Sequence, residues 1–262
     1  MPDLGELHVE SGTWADVLAC DRVAVLAHWS DRPEVSRSVR ALTEDLSAGG
    51  FATVLVSTSE VREPLDLGGA PVTLVARRPN VAYDFGSWAH VLTGQPELHR
   101  DRHVLLVNDS LVGPFQPGRL PLDQFVSSVA EVWGLIASRQ FGWHLQSYCV
   151  GYAPGVLADP LLRRFWAGVR PQRDKSGVIG RYELGLSRLL RSEAFRLEAW
   201  LPDGVVCAPE LNPMIRGWRG VLDHGLPVVK RELLRDPAVA PDGREVPAEL
   251  ARRYDIDVRD WT

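Results

Sequence analysis

Five short segments carry side chains whose types and spacing could do chemistry. Asn108-Asp109-Ser110 follows the apolar run HVLLVN, which reads as a strand, so Asp109 should emerge at a sheet edge. A carboxylate there can hold a divalent cation that bridges two phosphates, with Asn108 and Ser110 adding oxygens or hydrogen bonds. The plain alternative is an Asp that opens a turn before Gly113-Pro114. In RRPNVAYDFGSW, Arg77 and Arg78 follow a strand and are placed to meet phosphate oxygens. Asn80 and Asp84 lie four apart across the start of a helix, and Gly86 removes a side chain where a ligand can approach. Asp84 reads equally as a helix N-cap, and the two arginines as a solvated face.

The other three segments lie further along the chain. GWHLQSY offers Trp143, His144, Gln146 and Ser147, an aromatic face beside hydrogen-bonding groups, which are the makings of a sugar-binding surface. His144 can act as a base or a ligand, or be a structural histidine held by its hydrogen bonds. Glu183 in RYELGLSRLL sits at the expected opening turn of an amphipathic helix, where the helix dipole favours a carboxylate. That suits a general base for an attacking hydroxyl, although the dipole alone explains an acid there. HGLPVVKRELLRDP begins with His224 and holds Lys230, Arg231 and Arg235. It is either a mobile basic segment that closes over a diphosphate or a surface helix of mixed charge.

The elements that must position these residues alternate in the first half of the chain. VAVLAHW (23–29), TVLVS (53–57), VTLVA (72–76) and HVLLVN (103–108) are short, apolar and rich in β-branched residues, as strands buried on both faces are. Between them, Val35, Val39, Leu42 and Leu46 recur on one helical face, with Pro33 in the first turn and Gly49-Gly50 as the stop. Trp88, Val91 and Leu92 predict a short helix after Asp84. Strand and helix at this rhythm predict an α/β fold with a mostly parallel central sheet and helices on both faces. The second half is less regular: WGLIAS (133–138) and VVCAP (205–209) read as strands, and helices are expected over Leu157–Trp166, Tyr182–Leu190 and Ile215–Leu222. One domain is expected over 1–262, with residues 237–262 as a peripheral tail. In open α/β sheets ligands bind beyond the carboxyl ends of the strands, which is where the first three segments fall.

Composition narrows the function classes. A formal charge of −5 disfavours a broad nucleic-acid surface, while a few local cations still suffice for a phosphate. The 3 cysteines form no Cys-x-x-Cys pair, against a disulfide frame or structural zinc. MPDLGELHVESGTW lacks a basic start followed by an apolar stretch, and no uncharged apolar run reaches the ~20 residues that cross a bilayer. A cytoplasmic protein with at most peripheral contact at the inner membrane face is expected. The 9 Trp residues are read mainly as core.

Taken together and in order, RRPNVAYDFGSWAHVL, HVLLVNDSLVGPF, VWGLIAS, HLQSY, YELGLSRLL and NPMIRGWRGVLDHGLPVVKRELLRDP resemble the rhamnan synthesis protein F family of bacterial glycosyltransferases, over roughly Val23 to Pro237. The resemblance implies a GT-A-like fold with a donor-binding half near 22–130 and an acceptor-binding, catalytic half near 131–236. It also implies a nucleotide-sugar donor, rhamnose the first guess, and a glycan or lipid-linked glycan acceptor of the cell envelope. Asn80 and Asp84 become donor contacts beside Arg77, Arg78, Asn108, Asp109, Ser110, Lys230 and Arg231. NDS takes the place of the D-x-D metal motif, with one carboxylate where two are usual, so a Mn or Mg ion on Asp109 and His224 is the cofactor expected. Glu183 is the first choice for the base of an inverting transfer and Glu131 the second. Trp143, His144, Gln146 and Ser147 are the expected acceptor contacts. The alternative function is a glycan-binding or scaffolding module without turnover.

Overall fold

The computed structural model describes residues 4–262. In strand β2 (Arg22–His28), Val23, Val25 and Ala27 join one buried cluster and Ala24 and Leu26 another, so both faces of the strand are covered. The first cluster takes in Trp88 and Leu92 of helix Tyr83–Gly94, Trp166 of helix Pro160–Ala167, and Leu190 of helix Leu184–Ser192. The second takes in Val39 and Leu46 of helix Arg37–Ala48. Trp88 is fully buried and ties its helix to the sheet, its indole N–H lying 3.1 Å from Val25 O and 3.2 Å from Val107 O.

The other strands are β1 (His8–Gly12), β3 (Ala52–Ser57), β4 (Leu74–Arg77), β5 (His103–Asn108), β6 (Leu111–Val112), β7 (Val132–Ser138), β8 (His144–Leu145), β9 (Cys149–Tyr152), β10 (Leu197–Leu201) and β11 (Val229–Lys230). The main sheet runs β1-β4-β3-β2-β5-β9-β7-β10, with β8 attached to β7. The β4-β3-β2-β5 block is parallel, as is β7-β10. β9 lies antiparallel between β5 and β7, so those two blocks run the same way and share one carboxyl edge. This is the mixed α/β fold that the alternation of apolar runs predicts. The strand order reverses between β2 and β5, and a crevice opens at such a switch point.

Several expected elements differ. VVCAP is not a strand; the late strand is Leu197–Leu201, which pairs parallel to β7. Leu197–Leu201 carries Glu198 and is incompletely buried, so it lacks the continuous apolar signature of an inner strand. Pro33 precedes its helix, whose N-cap is Ser36, the Ser36 hydroxyl accepting from Val39 N. β1 and β9 have no counterpart in the expectations. Residues 237–262, expected as a peripheral tail, contribute Val246, Leu250, Val258 and Trp261 to a third cluster around Val112, Phe115 and Trp218, beside the β6–β11 pair. No helix among the described residues is long and apolar enough to cross a membrane.

Gly86 serves packing, not ligand approach. A Cβ there would lie 2.1 Å from Val81 O and 2.9 Å from an Arg78 guanidinium nitrogen. Gly86→Ala is therefore expected to lower unfolding stability by about 2 kcal/mol, the usual scale of overpacking. Urea denaturation checks this, and a variant as stable as the parent would show that the Val81 carbonyl can yield.

Candidate functional site

Beyond the shared carboxyl edge lies a cleft of about 810 Å³. The ends of β2 and β5 meet at its floor, where the backbone N–H of Trp29 donates to Asp109 Oδ2 at 3.1 Å. Asp109 thus sits at the switch point, its backbone N–H bonded to Ala27 O. Beside it, Asn108 Nδ2 donates to Asp84 Oδ2 at 2.6 Å, and Asn108 Oδ1 accepts from the Ser110 hydroxyl at 2.6 Å. This network ties the side chains of Asp84, Asn108 and Ser110 together beside Asp109. Asp84 does not cap its helix; the N-cap is Ala82, and Asp84 lies in the first turn with its carboxylate in the cleft. Burial, and then the charge of Asp109, push the Asp84 carboxyl up to about 7.

The opposite wall is built on a helical run that is continuous from Lys175 to Ser192. Its middle, Ile179–Glu183, is a π-helical turn, a feature often found at functional sites. Glu183 therefore lies well inside the run and not at its opening, so the helix dipole does not account for its ionisation. Its neighbours do. His144 Nε2 lies 3.1 Å from Glu183 Oε1, and the Ser147 hydroxyl donates to Oε2 at 2.5 Å. Burial is the largest influence and raises this carboxyl, yet the bonds from His144 and Ser147, with the charges of His144 and Lys230, carry it below the ordinary glutamate value. His144 Nδ1 lies 2.8 Å from Gly142 O, which can only accept, so Nδ1 carries a hydrogen. Nε2 is thereby the nitrogen that faces the Glu183 carboxylate.

Lys230 and Arg231 close the cleft from a third side. Pairing of β11 with β6 sets Lys230 opposite Leu111, Arg231 N donates to Ser110 O at 2.8 Å, and Arg231 Nε donates to Asp109 O at 3.0 Å. The basic segment is thus stitched to the NDS loop and does not need to swing in. Burial lowers the Lys230 ammonium from its ordinary value, opposed by Glu183, and its Nζ lies 5.2 Å from the Tyr148 ring centre. The lining carries Lys175, Arg216, Lys230, Arg231 and Arg235 against Asp84, Asp109, Glu183 and Glu232, so a protein of net charge −5 concentrates cations here.

Of the residues singled out from the sequence, Asn80, Asp84, Asn108, Asp109, Ser110, His144, Gln146, Ser147, Glu183, Lys230 and Arg231 line this one cleft. Five others do not. Arg77 pairs with Glu10 and donates to Val61 O and Glu63 O, bracing β1 and the following loop. Arg78 is buried, with hydrogen bonds to Leu4 O, Val81 O and the Ser87 hydroxyl, and burial lowers its guanidinium to about 10. It clamps the turn in which Ala82 and Tyr83 take positive φ. Glu131 precedes β7 and so lies at the amino edge, bonded to Arg196 N at 2.9 Å. Trp143 turns to Asp203, with the Arg191 guanidinium over its ring. His224 is exposed at a helix end and contacts Gly220 O, away from Asp109. Among the described residues no group of three or more His, Cys, Asp or Glu side chains gathers as a ready metal site.

Residues not foreseen also line the cleft: Trp29, Tyr83, Gln140, Phe141, Lys175, Asn212 and Arg216. Trp29 closes the apolar run VAVLAHW, one residue past β2, and Phe141 precedes Gly142, yet neither position announces exposure in the sequence.

With the geometry known, comparison with other proteins gives three findings. The family model described as rhamnan synthesis protein F matches residues 54–258. Two curated sequences of virulence protein VirA from Vibrio anguillarum are each 28% identical, the match covering 61% of this chain and 61% of the relative. The chain thus spans about three fifths of the length of the curated relatives it matches. Among solved structures, a glycosyltransferase involved in glycosylation of the major capsid of PBCV-1 is similar with a TM-score of 0.43 and 11% identity, covering 79% of this chain and 92% of that one. That likeness is too low to bear on function.

Proposed function

Since the chain belongs to the rhamnan synthesis protein F family, we propose that the cleft transfers a sugar from a nucleotide-sugar to a glycan or glycolipid of the bacterial cell envelope, by a GT-A-like arrangement. One observation carries this reading. Asp109, at the end of a parallel strand, and Glu183, on a later helix, line the same cleft with Lys230 and Arg231. A carboxylate and cations for a diphosphate thus face a carboxylate suited to an incoming hydroxyl.

The proposed step is a single inverting displacement. An acceptor hydroxyl displaces Ser147 from Glu183 Oε2 and gives its proton to that carboxylate. Its oxygen attacks the anomeric carbon from the side opposite the diphosphate, whose bond to that carbon breaks. Lys230 and Arg231 stabilise the charge that grows on the departing diphosphate. Rhamnose is the first donor sugar to test, on the strength of the family's description.

A Mn or Mg ion fits this site only through oxygen ligands. Asp109 and Asp84, with Asn108 and Ser110 beside them, would hold a hard cation that keeps phosphate and water as its other ligands; His224 would not. Burial first and repulsion from Asp109 second raise Asp84, and a cation would relieve the second. Such an ion would neutralise charge on the diphosphate.

The test is donor turnover against a panel of dTDP-, UDP- and GDP-sugars, with and without acceptor. Asp109→Ala is expected to weaken binding of the productive nucleotide diphosphate, measured calorimetrically, by about tenfold or more, the scale of one lost charge-assisted contact. Loss of the manganese dependence should accompany it. Full activity in EDTA would assign the diphosphate to Lys230 and Arg231 alone. Binding of nucleotide-sugar without any transfer or hydrolysis would leave a glycan-binding module as the function.

A further inference from the structure

The transfer reading assigns one wall to the leaving group and another to the incoming oxygen, but it provides no surface for the sugar ring that carries that oxygen. The cleft offers one. Among the described residues the exposed large apolar side chains are Trp29, Tyr83, Val129, Phe141 and Val205, and the three aromatic ones line this cleft. Phe141 is 74% exposed and has a φ of 62°, followed by Gly142 with a φ of 122°. A left-handed backbone is unfavourable for a bulky side chain, and a phenyl ring in water gains nothing for the fold. The positive φ belongs to the turn that closes the β7–β8 hairpin, where Gly142 N donates to Arg139 O at 3.0 Å; the exposure of the ring is what stability does not explain.

Two neutral amides accompany the ring in the cleft lining. Asn212 Nδ2 lies 3.3 Å from Gln140 Oε1, and both amides line the cleft with Phe141. Gln140 Nε2 has no hydrogen-bond partner among the described residues. An aromatic face beside two amides matches a pyranose, which has an apolar C–H face and a rim of hydroxyls that both donate and accept. The location selects the acceptor over the donor. Phe141 belongs to the connection that goes on to His144 and Ser147, the two partners of Glu183. Trp29 and Tyr83 go instead with the carboxylates assigned to the diphosphate, Trp29 bonded to Asp109 and Tyr83 next to Asp84 in the chain.

We infer that Phe141, Gln140 and Asn212 form the subsite for the acceptor's terminal sugar, a pyranose ring stacked on the phenyl face with hydroxyls on the two amides. The inference rests on the transfer reading above. It replaces Trp143, which turns away to Asp203, as the aromatic platform of that wall.

Saturation-transfer NMR with the methyl glycosides of rhamnose, glucose, galactose and N-acetylglucosamine, in the presence of the productive nucleoside diphosphate, tests the subsite. At least one glycoside should bind the parent protein. Phe141→Ala should weaken it by about tenfold and Phe141→Trp should retain it, because the stacking face is what matters. Gln140→Ala should weaken it less, and nucleotide binding should be equal in all variants. Glycoside binding unchanged in Phe141→Ala, or no glycoside bound by the nucleotide-loaded parent, overturns the subsite while donor turnover keeps the transfer reading intact. If no nucleotide-sugar is bound or turned over at all, the transfer reading fails and the subsite falls with it. Because Phe141 is exposed, loss of binding in Phe141→Ala with unchanged circular dichroism is not a folding defect.

Discussion

Glu183→Gln is expected to reduce transfer by about 10²–10⁴-fold, the range supplied by a positioned general base. Glutamine keeps the volume of the side chain and can still accept from the Ser147 hydroxyl, so the π-helical turn and the wall around it should persist. It cannot take up the acceptor's proton. Binding of a nucleoside diphosphate, read by calorimetry, should stay close to the parent value, because the diphosphate side of the cleft is built on other elements. Single-turnover kinetics with labelled donor measure the chemical step directly. Transfer within tenfold of the parent would move the base elsewhere, with Asp84 the next carboxylate in the cleft. The pH dependence adds a second reading. Glu183 is held below the ordinary glutamate value, so its ionised form persists through neutrality, and an acid limb due to this group falls below the ordinary glutamate range.

Asp84→Asn is expected to make the protein more stable and less able to bind its donor. The Asp84 carboxyl lies at about 7 in the folded chain against 3.8 for a free side chain, through burial first and the Asp109 charge second. A group raised in this way binds a proton more strongly in the folded state, so its contribution to stability is complete below pH 3.8 and is lost as pH rises through about 7. Asparagine removes that loss. The gain over the parent should therefore be near zero around pH 4, grow between pH 4 and 7, and level off above. At about 1.4 kcal/mol per unit the shift sets a ceiling of roughly 4 kcal/mol; solvent at this half-buried group brings the expectation to about 2 kcal/mol. For a chain of this length that is a Tm increase of roughly 5 °C at pH 8. Thermal melts at pH 4 and pH 8 test it, and equal differences at both would mean that Asp84 is ionised at neutral pH. Donor affinity should fall in the same variant, since stability gained at a strained, charged site is commonly offset by lost function.

Much of the scaffold was legible because its signals are local. HVLLVN and VAVLAHW are apolar without alternation, which suits a strand covered on both sides, and both are inner strands. Leu197–Leu201 was not legible, since an edge strand with Glu198 on its open face lacks that signature. Arg77 and Arg78 show the limit of reading charge by position. Arg77 ends β4 and Arg78 follows it, yet one braces β1 and the other is buried under a turn, because backbone carbonyls of distant segments reach them first.

By itself the chain's sequence determined the α/β layering, the family, and the stretch in which each cleft carboxylate lies, because apolar periodicity and segment order need no knowledge of distant contacts. Only the tertiary structure decided which polar groups meet. Insertion of β9 between β5 and β7 sets the connection carrying His144 and Ser147 across from Asp109, and a π-helical turn within a longer helical run brings Glu183 onto both. Those meetings depend on strand order and on one irregular turn. Neither leaves a pattern in neighbouring residues, which is why the sequence places Glu183 at a helix opening instead of inside a helical run and gives no sign that Phe141 is exposed in the cleft.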